Sequence, residues 1–256
     1  MNYDLKKYIH PFDERRKVAL PGDYEETLTF CVEYFLQIAA EAIKQKDFFT
    51  VALSGGSTPK AILHLLTTPK YVHRVDWNKI YFYFGDERAV PPDHPESNYK
   101  MAMDTALKEL KIPQKHIFRM KAENDGEKNA ADYALKISEN VPEGEFDLIT
   151  LGMGDDGHTA SLFPHTHALT TEDHWVVFNS IPQKSTNRMT FTYPLINKAH
   201  HICFFVLGSA KASIVPKVLA GKDQPLEYPS QKIGTKTNKA LWIFDKEAAT
   251  QLKLPC

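Results

Sequence analysis

The sequence predicts an α/β fold, a mainly parallel sheet with helices on both faces, in a single domain over residues 1–256. Three observations carry that reading. Apolar runs at residues 48–54 (FFTVALS), 80–84 (IYFYF) and 146–151 (FDLITL) have the near-continuous apolarity of strands buried on both faces. Stretches of helical periodicity separate the strands, as in crossovers between parallel neighbours. The same strands end in polar, glycine-bearing turns, and open α/β sheets bind ligands at their carboxyl edge.

The first regular element in chain order is a long amphipathic helix over residues 23–46. Asp23 and Glu26 make a capping-box start, and Leu28, Cys31, Val32, Phe35, Ile38, Ala39 and Ala42 form its apolar face. After the strand at 48–54, Pro59 suits the first turn of a helix over 59–66, with Thr58 as its N-cap. The strand at 80–84 leads through a proline-rich loop to a helix capped by Ser97 or Asn98 and running to about Leu110. A short strand at 117–120, a helix at 127–139 and the strand at 146–151 follow. A short helix-like segment then stops at Pro164. Strands at 175–179, 189–193 and 201–207, a helix at 209–220, a strand at 240–245 and a last short helix complete the alternation. Residues 143–144 and 221–229 read as connecting loops, and no repeat or low-complexity tract interrupts the pattern.

Charge narrows the function classes. The 256 residues carry 31 Lys and Arg against 32 Asp and Glu, a net charge of −1. Nothing in that balance is the electrostatic footprint of a nucleic-acid or anionic-membrane binder. The start lacks the apolar core of a signal peptide, and no apolar run approaches membrane-spanning length, so the cytoplasm is the expected location. Cys31, Cys203 and Cys256 are an odd count without C-x-x-C spacing. Cys31 and Cys203 fall in apolar patterns and read as buried thiols of a reduced compartment.

Three loops hold the chemistry. The glycine turn after strand 146–151 carries Asp155, Asp156 and His158, an acid/base cluster at a strand end. Its Gly152-x-Gly154-x-x-Gly157 spacing matches the dinucleotide fingerprint literally, but two aspartates would face the pyrophosphate and Pro164 cuts the following helix short. The second loop, Ser54-Gly55-Gly56-Ser57-Thr58, precedes a helix start, where backbone N–H groups and the helix dipole suit a phosphate. It lacks the Walker spacing, and the same residues also suit a tight turn with a good cap. In the third loop Asp86, Glu87 and Arg88 follow a strand and lead into a proline-stiffened polar segment ending at Ser97-Asn98-Tyr99. Adjacent acids and an arginine often form a surface ion-pair cluster, whereas a loop this long commonly has a function. His165 and His167 have no third ligand at sensible spacing, so no metal site is expected.

Together SGGSTP (54–59), DERAVPPDHPESNY (86–99) and LGMGDDGHTASLFP (151–164) resemble the motif set of the 6-phosphogluconolactonases, in the same order. The resemblance extends to Arg188-Met189-Thr190 with Pro194-Leu195-Ile196-Asn197, and to Gly208-Ser209-Ala210-Lys211, covering roughly residues 48–220. The related glucosamine-6-phosphate isomerases continue the G-x-D-G-H loop with an Asn-Glu-Pro stretch, where this chain has Ser161-Leu162-Phe163-Pro164 and no acid.

What the resemblance implies is a Rossmann-like isomerase/lactonase fold that opens 6-phospho-D-glucono-1,5-lactone, with a sugar phosphate as partner and no metal or organic cofactor. A histidine, with a reference pKa near ~6.5, suits a general base at neutral pH. His158 is then the base for water and Asp156 its orienting carboxylate. Ser54, Gly55, Gly56, Ser57, Thr58, Asp86, Arg88, Asn98, Arg188 and Lys211 form the substrate and phosphate site, in a monomer or small homo-oligomer. The rivals are a sugar-phosphate isomerase or deaminase using Asp86 as base, and a non-catalytic sugar-phosphate sensor.

Overall fold

The computed structural model describes residues 3–253. Its first half runs β1 (Ile9–Pro11), β2 (Arg16–Ala19), α1 (Tyr24–Lys46), β3 (Phe49–Leu53), α2 (Ser57–Thr67), β4 (Ile80–Phe84), β5 (Asp86–Arg88), α3 (Asn98–Ala102) and α4 (Gly126–Asn140). The second half runs β6 (Leu148–Leu151), β7 (Val176–Ile181), β8 (Thr186–Phe191), α5 (Tyr193–Ile196), β9 (His201–Val206), α6 (Val215–Leu219) and β10 (Ala240–Phe244).

Seven strands form the main sheet in the order β1-β2-β10-β9-β6-β3-β4. Every pairing in it is parallel except that of β1 with β2. β3, β6 and β10 are buried at every residue, the consequence of covering both faces. On one face α1 packs Phe35 edge-on to Phe49 of β3 at 5.5 Å. On the other, Tyr133 of α4 and Phe191 of β8 close over Tyr83 and Phe146. The Tyr133 hydroxyl accepts from the Phe84 amide (3.0 Å) and donates to the Phe118 carbonyl (2.8 Å), so this phenol is satisfied inside the core.

The α1 capping box forms as its sequence dictates. Asp23 accepts from the Glu26 amide, and Glu26 accepts from the Asp23 amide, both at 2.9 Å.

Several expectations need correction. α2 begins at Ser57, not Pro59. Gly56, at φ +111°, is its N-cap residue, and Thr58 lies inside the first turn without a capping bond. Proline is tolerated there because first-turn N–H groups have no intrahelical partner anyway. Residues 117–120 make only a single bridge from Ile117 to Phe82. The segment after His158 is a turn closed by a Thr159–Leu162 bridge, not a helix. The helix expected at 209–220 is a tight turn at Ser209–Lys211 followed by α6, whose Pro216 has no N–H to join the two. The chain after β10 forms successive turns rather than a helix.

Three strands were not expected at all: β1, β2 and β5. β5 pairs antiparallel with β8, and β8 with β7, so two strands expected from the alternation belong to a separate three-stranded sheet. Cys31 and Cys203 are buried free thiols, and Cys256 lies outside the described residues.

Candidate active site

Strand order alone locates a crevice. From β3 the chain steps to β4 on one side, and the next parallel strand, β6, lies on the opposite side of β3. That reversal is a topological switch point, where loops diverge and leave space at the carboxyl edge. Ser54, Gly55, Asp86, Arg88, Asn98, Gly152, Met153, Gly154, His158, Ala160 and Arg188 line a cleft of about 150 Å³ there.

The loop after β6 is folded around an acid–imidazole pair. Gly154 N–H donates to the His158 carbonyl (2.9 Å) and Gly157, at φ +77°, donates back to the Gly154 carbonyl (3.1 Å). This tight ring brings Asp156 Oδ1 to 2.5 Å from His158 Nδ1 and 3.1 Å from the His158 amide. A Cβ on Gly154 would lie 2.1 Å from His158 Nδ1 and 2.7 Å from Asp156 Oδ1, so the pair needs glycine here. The imidazole stacks on Phe163 at 3.9 Å, which fixes its plane. Burial pushes the Asp156 carboxyl up, but the hydrogen bonds and charge of His158 outweigh it and hold the pKa at about 2. Asp156 is therefore ionised at neutral pH and accepts the Nδ1 proton, leaving Nε2 with the free lone pair of the neutral ring.

The third loop opens with β5, whose period-two alternation puts Asp86 and Arg88 on the cleft side and Glu87 beneath. Asp86 accepts from Ser161 Oγ at 2.7 Å and from Asn98 Nδ2 at 3.2 Å, using both carboxylate oxygens. Arg88 pairs in register with Arg188 of β8. Two like charges opposed across strands are unfavourable by themselves, and an anion between them relieves the repulsion. Arg88 Nη1 donates to the Glu96 carbonyl, while Nε of both arginines is buried without a partner. Burial lowers the pKa of Arg188, with Asp86 opposing. Ser54 Oγ, at the end of β3, is likewise buried and unpartnered.

Of the residues singled out in the sequence, Ser54, Gly55, Asp86, Arg88, Asn98, His158 and Arg188 line this one cleft, and Asp156 stands behind His158. Gly56, Ser57 and Thr58 are not among its lining, and neither is Lys211, whose ammonium lies 2.5 Å from Asp155. Sequence reasoning missed Ala160, which lines the cleft at φ +48°, and the supporting Ser161, Thr190 and Asn179. Ser161 donates its amide to Thr190 Oγ1 (3.1 Å), and its carbonyl accepts from Asn179 Nδ2 (2.9 Å). Only the Ser-Leu-Phe-Pro departure pointed at Ser161. A larger cavity, about 580 Å³, lies against α1, but its arginine, Arg74, is already held by both oxygens of Glu33. Among the described residues no three His, Cys, Asp or Glu side chains are grouped to hold a metal ion, and no helix is long and apolar enough to cross a membrane.

A family model described as glucosamine-6-phosphate isomerases/6-phosphogluconolactonase matches residues 22–242. The chain is 41% identical over 247 residues to the 6-phosphogluconolactonase of a Nostoc species, covering 94% of this chain and all of that one. It is 39% identical over 240 residues to the enzyme so named in Chlamydia pneumoniae, covering 93% of this chain and 91% of that one. The solved 6-phosphogluconolactonase of Trypanosoma cruzi superposes with a TM-score of 0.82 at 28% identity, over 95% of this chain and 99% of that one. The chain belongs to the glucosamine-6-phosphate isomerase/6-phosphogluconolactonase family.

Proposed function

We propose that this protein hydrolyses 6-phospho-D-glucono-1,5-lactone to 6-phospho-D-gluconate, the second step of the oxidative pentose phosphate pathway, in the cytoplasm. The observation that carries the reading is the His158–Asp156 pair at the mouth of a cleft holding two opposed arginines. A lactone is an activated ester, so the chemistry needs one base, a charge to meet the oxyanion and a clamp for the phosphate.

In this mechanism His158 Nε2 takes a proton from water as the water oxygen adds to the lactone carbonyl. The carbonyl electron pair moves onto oxygen, and the oxyanion is met by the positive charge of the cleft. Collapse breaks the C1–ring-oxygen bond, and the departing oxygen takes the proton back from the imidazolium. The new carboxylic acid then ionises and releases a proton to solvent. Asp156 stabilises the transient imidazolium and fixes the ring, as a carboxylate partner does in hydrolytic triads. Arg88 and Arg188 supply charge for the phosphate and oxyanion, and Ser54 Oγ has a free hydrogen-bond donor. Lys211, held by Asp155, adds no free charge to the cleft.

The rival isomerase chemistry puts the base on Asp86. Both of its oxygens are already engaged, one by Ser161 Oγ and the other by Asn98 Nδ2, so neither is left without a protein donor to reach for a substrate proton. The test is acid release from freshly prepared 6-phosphogluconolactone at a pH where spontaneous opening is slow. Catalysed release supports the reading. Ammonia release from glucosamine 6-phosphate at an equal or greater rate would overturn it.

A further inference from the structure

Arg88 and Asn98 reach the cleft from opposite ends of the proline-rich loop, which spans residues 89–97 and has no regular structure. A polar loop of that length does not by itself hold two ligand-facing side chains in place. Beneath them lies Glu87, only 2% exposed and pointing away from the cleft by strand alternation. Its carboxylate collects four donors. Oε1 accepts from the amides of Arg88 and Asn98, both at 2.8 Å. Oε2 accepts from Ser97 Oγ at 3.0 Å and the Tyr99 amide at 2.9 Å. Three of these four are backbone or side-chain groups of the residues that close the loop at the start of α3. From the far end, Arg88 Nη1 ties back to the Glu96 carbonyl.

We infer that Glu87 is a positioning residue for the substrate's anionic group, clasping both ends of the loop so that Arg88 and Asn98 meet the ligand together. The inference rests on the proposed reading of Arg88 as part of the phosphate site. A carboxylate is the one side chain of this size with acceptors on both arms, whereas the glutamine amide would turn an NH2 toward two donors. Glu87→Gln therefore opens one half of the clasp at nearly constant volume.

The test measures 6-phosphogluconate affinity by calorimetry, with steady-state kinetics on the phosphorylated and unphosphorylated lactones. Glu87→Gln is expected to weaken product binding and raise KM for the phosphorylated lactone by about 10- to 100-fold, the scale of displaced ligand groups. Its kcat should stay within a few fold, and the unphosphorylated lactone should be turned over as by the wild type. Ser97→Ala, which removes one of the four donors, should shift KM the same way by less, and it carries the test if Glu87→Gln does not fold. Equal losses on both lactones would assign Glu87 a purely structural role and overturn the inference. So would unchanged product affinity in both variants while Arg88→Ala weakens it. If Arg88→Ala also leaves affinity unchanged, the phosphate reading and the inference fall together.

Discussion

At the amino end of the main sheet, the buried Asp147 carboxylate accepts from the Thr50 amide (2.7 Å) and hydroxyl (3.0 Å), and Lys46 closes on it at 2.9 Å. At the carboxyl end of the same strands, Ser54 Oγ and the Nε atoms of Arg88 and Arg188 are buried with no partner at all. Among the described residues the other unpartnered buried polar atoms, on Tyr83, His116, Asn179 and Trp242, do not line that cleft, whereas these three share it. A buried polar group left unmade costs about 1–3 kcal/mol, so a cluster of them is retained where something else completes it. The amino end uses its charge to hold β3 to β6. The carboxyl end keeps its charge available, at the expense of stability.

His158→Ala should break the carboxyl end most severely, lowering kcat for the phosphorylated lactone by about 10²–10⁴-fold, the usual worth of a general base. Product affinity should survive within a few fold, because the arginines remain, and a binding isotherm beside the rate measurement checks both. Next in size, Arg88→Ala should weaken 6-phosphogluconate binding by about 10- to 100-fold, the loss of a charge-assisted contact. Turnover of the unphosphorylated lactone should hardly change. Asp147→Ala sharpens the contrast from the other end. Leaving the Thr50 amide buried and unpaired should lower unfolding stability by about 1–3 kcal/mol in a denaturant titration and leave kcat/KM as it was.

The smallest effect concerns pH and Asp156, whose carboxyl is held at about 2 against an ordinary 3.8. A depressed native pKa contributes stability that is complete above the ordinary value and lost as pH falls through about 2. The stability difference between wild type and Asp156→Asn should therefore shrink as pH falls below about 4 and vanish toward pH 2. A difference that instead faded between pH 7 and 5 would mean that Asp156 is not the ionised partner.

The two ends were also unequally legible in the sequence. β3, β4, β6 and β10 announced themselves because strands packed beneath helices are nearly continuous apolar runs. β5 did not, since Asp-Glu-Arg has no apolar signature and becomes a strand only by pairing with β8. Glu87 was hidden for the same reason. Beside Asp86 and Arg88 it looks like part of a surface ion-pair cluster, and only the fold turns it inward. β1 is a three-residue edge strand ending in Pro11, and β2, between β1 and β10, is four residues opening with Arg16 and Lys17, so both are too short and too polar to give a signal. His158, Asp156 and Arg188 could be picked out through the motif resemblance, but the spacing of motifs says nothing about contacts between them. That Lys211 is held by Asp155, and that Arg188 faces Arg88, are facts of tertiary pairing.

The most direct measurement is a titration of isotopically labelled protein with 6-phosphogluconate, following the Arg88 and Arg188 Nε–H resonances and the Thr50 amide by NMR. If the carboxyl end is completed by substrate, both arginine signals shift and saturate together while Thr50, already satisfied by Asp147, stays where it was. Saturable binding that leaves both arginine signals unmoved would contradict the account.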